Sequence, residues 1–183
     1  MSNKGLRSLT LTAMFVALVA VATMVIHVPV PATQGFVNVG DTAIFIAAVL
    51  LGPKTALIAG GLGSALADVL LGYSQWAPWT LVIKGLEGLI VGLIAHEGFR
   101  RKSRISTVTM GATVLGSVWM VGGYFVAASA MYGFAGALAG IPGDIVQGAS
   151  SVVFTLVALY ALQHTPITRL VYAGNSASSS SQH

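Results

Sequence analysis

Lys84 and Glu87 lie inside the apolar run 78–96, and a charge in hydrocarbon is costly unless it is paired or used. Spaced three apart, they share a helix face and can pair. Lys84 stands about 9 Å below the start of that run at about 1.5 Å per residue, and Glu87 one turn deeper. A self-neutralising pair that pins the helix to a neighbour is one role for them, and a ligand contact is the other. Asp68 closes the stretch Gly60-Gly-Leu-Gly-Ser-Ala-Leu-Ala-Asp68. It could answer Lys84, loop amides or a ligand. Asp41 and Asp144 stand at expected helix starts, where N-capping is the simpler role. With Asn38, these groups map to one half of the membrane. Trp76 and Trp79 flank the start of the same run, the usual place for an interfacial aromatic belt. Trp119 and Tyr124 lie too deep for a belt, and core packing or lipid contact competes with a stacking role. A planar heteroaromatic ligand would use such rings, with the Tyr124 hydroxyl or Gln147 giving direction.

Other chemistries lack their residues. The chain has no cysteine, which removes thiolate metal sites, disulfides and cysteine nucleophiles. His27, His96, His164 and His183 are scattered at helix ends and in loops, a poor pattern for a metal. There is no P-loop, no HExxH and no GxSxG elbow, so neither ATP hydrolysis by this chain nor a resident cofactor is expected. Binding or translocation is the class that is left.

The elements that must position these residues follow from composition. Of 183 residues, 55% are hydrophobic and 8% charged, against about 25% charged in soluble domains. Mean hydropathy is +0.84, and lipid is the natural solvent. The net charge of +4 is therefore a topology signal and not a nucleic-acid one. Apolar runs predict an all-α integral membrane domain over 1–172, with helices at about 9–26, 41–51, 55–71, 78–96, 107–131 and 143–163. The segment 27–40 reads as a structured loop, and Gly52-Pro53 stops the second helix. The tail 173–183, Ser-rich and without apolar periodicity, reads as disordered, native or left over from cloning. With alternating spans, Lys4, Arg7, Lys54, Arg100, Arg101, Lys102, Arg104 and Arg169 share one side, eight of the nine basic residues. Both termini are thus expected in the cytoplasm.

Ala13 and Ala17 on the first helix, continued by Ala20, make a small-xxx-small face suited to close helix approach, internal or with a partner. The stretches Phe36-Val-Asn-Val-Gly-Asp-Thr-Ala-Ile-Phe-Ile-Ala-Ala-Val-Leu-Leu-Gly-Pro53, Gly60 to Asp68 and Trp76-Ala-Pro-Trp-Thr-Leu-Val-Ile-Lys-Gly-Leu-Glu-Gly-Leu-Ile-Val-Gly92 resemble the substrate-binding S components of energy-coupling factor (ECF) vitamin transporters, in the hydroxymethylpyrimidine, pyridoxine or riboflavin-type branch. The resemblance spans about residues 5–170, and helices 5 and 6 match only by pattern. It implies a six-helix S-component fold in the bacterial cytoplasmic membrane. It also implies a vitamin site near the outer face, under the loop after helix 1 and lined by helices 4 to 6. Docking through an Ala-xxx-Ala motif, here Ala13 and Ala17, onto a membrane T component driven by two ATPases is implied too, as is toppling of the subunit to deliver its ligand. For the site, Asn38, Asp41, Asp68, Trp76, Trp79, Lys84, Glu87, Trp119, Tyr124, Asp144 and Gln147 are the candidates. Their chemistry suits hydroxymethylpyrimidine or a B6 vitamer, with pantothenate, its carboxylate on Lys84, as runner-up and riboflavin third. A self-sufficient carrier is the competing class, and it would favour an inverted internal repeat, which the sequence does not display.

Overall fold

The computed structural model describes residues 3–102 and 104–165. Arg169 and the tail lie outside them. Helix α1 (Asn3–Val25) leads into an antiparallel hairpin of β1 (His27–Val30) and β2 (Gly35–Asn38), joined by a 3-10 turn at Pro31–Thr33. His27 pairs with Asn38 and Val30 with Gly35. The loop expected at 27–40 is thus a folded hairpin. Helices α2 (Gly40–Leu51), α3 (Pro53–Leu70) and α4 (Ala77–Lys102) follow, and α5 runs over Thr107–Gln163.

Local chemistry sets the ends. Gly52 takes φ 93° between α2 and α3, a left-handed value that glycine adopts without a Cβ penalty, and Pro53 opens α3, where its missing N–H costs nothing. Ser106 caps α5 by accepting the Thr109 N–H at 3.3 Å. Within α5 the backbone breaks at Gly133, φ 79° and ψ 167°. The chain folds back there: Ser117 Oγ donates to the Gly148 carbonyl at 3.3 Å, and the Ile105 N–H to Gln163 Oε1 at 3.4 Å, two pairs centred near Gly133. The expected loop over 132–142 is therefore helix on either side of one glycine. A single left-handed residue reverses the chain, so the Gly- and Pro-containing stretch after it stays helical, with Pro142 inside the second arm.

Gly5–Val25, Ala77–Arg101 and Thr107–Gln163 are long and apolar enough to cross a membrane, and Gly40–Leu51 is a shorter apolar helix. Large apolar side chains such as Leu93, Val118, Val126, Val146 and Val157 stand exposed, as lipid-facing residues must be. The core away from the hairpin packs Phe45, Val49, Val91, Phe99 and Leu159. Near the hairpin, Trp76, Ile83, Ala127, Ala128 and Ala137 form a second cluster. Backbone approach brings α3 onto α4: a Cβ on Gly60 would lie 2.6 Å from the Lys84 carbonyl oxygen, and one on Gly88 2.6 Å from that of Ala56. Only glycine allows helices that close, and the contact fixes α3 beside Lys84.

Candidate ligand site under the hairpin

Lys84, buried, forms an ion pair with Asp41 of α2 and a second with Glu87 Oε2 at 3.0 Å. Asp41 does not cap α2. Val39 occupies the capping position, and the Asn38 side chain accepts the Gly40 N–H at 2.8 Å, an Asx turn that leaves Asp41 free to point inward. Gln147 of α5 then joins the ion pair to the hairpin. Its Nε2 donates to Asp41 Oδ2 at 2.9 Å, and its Oε1 accepts the Asn38 N–H at 2.8 Å. Breaking a buried pair from one side typically costs about 3–5 kcal/mol, so α2, α4, α5 and β2 are tied through one polar network.

Above Lys84 lies a cavity of about 40 Å³. One water needs about 10–15 Å³ on this measure, so the space is that of a few waters. Asn38, Asp68, Trp76, Lys84, Tyr124, Asp144 and Gln147 all line it. Asp41 and Glu87 stand behind Lys84 and hold it. Asp144 is not at a helix start but within the second arm of α5. Trp76 donates from Nε1 to the carbonyls of Thr33 and Gln34, each at 3.2 Å, and Gln75 Nε2 donates to the Gln34 carbonyl at 3.2 Å, so the turn leading into α4 latches the hairpin tip. The indole meets the Tyr124 ring edge-on at 5.8 Å, and Lys84 Nζ stands 5.5 Å from the centre of the same ring. Tyr124 donates its hydroxyl to Thr80 at 3.1 Å.

Two candidates lie elsewhere. Trp79 is 40% and Trp119 38% exposed, neither lines the cavity, and Trp119 Nε1 donates to the Ile83 carbonyl at 3.0 Å, tying α5 to α4. The cavity also takes in residues that the sequence did not single out: Thr23, Thr33, Ser64 and Thr80, with the Phe36 ring. A hydroxyl on an apolar helix commonly bonds its own preceding turn, so these carried little signal. The nearest was the position of Thr80, one turn before Lys84.

A cavity of aromatic walls and buried polar groups, in a chain with several membrane-length apolar helices, is an arrangement suited to binding a small solute in a membrane protein. The chain belongs to the family of S components of ECF-type riboflavin transporters, matched over residues 3–164; it is a multi-pass transport subunit and not an enzyme. It is 31% identical over 168 residues to the thiamine precursor transporter HmpT of Lactococcus lactis subsp. cremoris, spanning 91% of this chain and 94% of the relative. It is 48% identical over 135 residues to an uncharacterized protein in gap 3'region of Pyrococcus woesei, 74% of this chain and 87% of the relative. A UPF0397 protein of Streptococcus pneumoniae matches over 80 residues at 31%, covering 44% of this chain and 41% of the relative.

Proposed function

We propose that the chain is the high-affinity binding subunit of an ATP-driven ECF importer for hydroxymethylpyrimidine or a closely related single-ring vitamin such as pyridoxine. The near full-length likeness to a thiamine precursor transporter carries the substrate reading. The cavity supports it: the Trp76 and Tyr124 rings and buried polar groups line one small space, suited to a single hydroxylated ring. Four carboxyl groups, Asp41, Asp68, Glu87 and Asp144, face one ammonium there, and Asp41 and Glu87 already claim Lys84. A carboxylate ligand such as pantothenate finds no unshared cation.

Six spans carry the site, with the hairpin end outward and both termini in the cytoplasm. The helices run alternately toward and away from the hairpin. Arg7, Lys54, Arg100, Arg101 and Arg104 gather at the opposite end, the side that basic residues favour. The subunit captures its ligand from outside, docks on a T component through α1 and topples to release the ligand inward. Two ATPase subunits supply the energy, and no cofactor is held in this chain. Native mass spectrometry of the detergent-purified protein tests the reading. A co-purified molecule of pyrimidine or pyridine mass is expected, with submicromolar affinity and no uptake by the chain alone in sealed vesicles. Uptake by the isolated chain would refute it.

A further inference from the structure

Among the described residues that line the cavity, two have a fully buried side-chain oxygen without a hydrogen-bond partner. Asp68 is 4% exposed and its Oδ2 has no hydrogen-bond partner; Thr23 is 2% exposed and its Oγ1 has none either. Both line the cavity. A buried carboxylate oxygen left without a donor is costly, and at the wall of a cavity it can be satisfied by a bound group. The surroundings fix what it wants. The Thr80 hydroxyl, which accepts from Tyr124 at 3.1 Å, lines the same cavity as Asp68. Lys84 is engaged by Asp41 and Glu87. What remains on Asp68 is an accepting oxygen, beside the aromatic faces of Trp76 and Tyr124.

We propose that Asp68 is the specificity-determining residue of the site: its free oxygen accepts an N–H from the ring edge of the ligand, so the cavity selects an amino-substituted heteroaromatic over the same ring without the amine. The unpartnered Thr23 hydroxyl takes a second polar substituent. This inference rests on the reading of the chain as an importer subunit for a pyrimidine precursor. Isothermal titration of the full chain in detergent tests it, with hydroxymethylpyrimidine and its analogue bearing hydrogen in place of the ring amine as probes. Wild type should favour the amine by at least about tenfold, because a bond to a charged acceptor is among the stronger hydrogen bonds. In Asp68→Leu, close in shape but unable to accept, that ratio should collapse toward one, while the analogue binds at least as well as to wild type. Should Asp68→Leu not fold, Asp68→Asn, which retains shape without charge, should still lower the ratio. A ratio unchanged in the variant, with wild type binding the amine, overturns this inference alone. Wild type binding neither pyrimidine overturns the importer reading with it.

Discussion

Helices α1 and α4 are both long enough to cross a membrane, yet they use opposite devices. Near the hairpin α4 turns polar groups inward: Thr80, Lys84 and Glu87 are buried, Thr80 and Lys84 at the cavity and Glu87 paired with Lys84. α1 turns two of its small residues outward. Ala13 and Ala17 are exposed, flanked by Met14, Leu18 and Val21, also exposed, while Val19 and Ala20 on the other side are buried. Ala20 therefore belongs to the interior and does not extend the Ala13–Ala17 face. Buried charge is concentrated where four elements converge on a cavity, and small residues face outward where the chain offers nothing to cover them. On the proposed function, α4 holds the ligand and α1 meets the partner.

The sharpest way to break the α4 side is Lys84→Ala. It leaves Asp41 and Glu87 buried without their cation, and a loss of about 3–5 kcal/mol is expected. A thermal melt in detergent should show it, and ligand binding should vanish in titration. An unchanged melting temperature would mean that the pair is not the tie it looks like. A smaller effect is expected from Gly60→Ala, whose Cβ would stand 2.6 Å from the Lys84 carbonyl. Overpacking between two backbones costs about 1–3 kcal/mol, and pushing α3 off α4 should weaken ligand binding in parallel with stability. A variant that melts lower but binds as before would separate the helix contact from the site.

Much of this was legible because charge is scarce. Lys84 was conspicuous as the one basic residue outside the shared side, and its company with Glu87 followed from spacing. The Asp41 partnership did not, because it joins residues 43 apart in sequence, and at a helix start an aspartate reads first as a cap. The Asn38 side chain instead accepts the Gly40 N–H in an Asx turn, a detail only the folded hairpin reveals. Seven of the candidates came together at the cavity while Trp79 and Trp119 did not, since an indole in an apolar helix looks the same in sequence whether it faces ligand, lipid or a neighbouring carbonyl. The hydroxyls of Thr23, Ser64 and Thr80 were silent for the reason that a hydroxyl bonded to its own helix is the commoner case. The helical stretch after Gly133 was misread because glycine and proline usually mark loops; here one residue reverses the chain.

Gln147 tests how far the α4 site depends on the hairpin. Gln147→Leu removes the bonds to Asp41 and to the Asn38 N–H, and stranding buried polar groups costs about 1–3 kcal/mol. Faster ligand dissociation is expected in stopped-flow fluorescence, with Trp76 as the reporter in the cavity. An unchanged off-rate would show that the Trp76 latch alone holds the hairpin.

The smallest effect on the isolated protein, and the most informative for the other side of the contrast, belongs to Ala17→Leu. Ala17 is exposed, so added methyl groups meet no neighbour, and stability and ligand affinity should stay within about 0.5 kcal/mol of wild type. The face would no longer be flat, and a helix that approaches closely through small residues is held off by a leucine. Uptake in vesicles that also hold the T component and ATPases should therefore fall sharply while binding persists. Ala20→Leu is the control on the same helix. Ala20 is buried, and overpacking there should lower stability by about 1–3 kcal/mol. If Ala17→Leu destabilises the lone subunit as Ala20→Leu does, the outward face of α1 is part of the protein's own packing and the division between the two helices falls. If Ala17→Leu binds, melts normally and fails only in the assembled transporter, three residues along one helix separate folding from partnership.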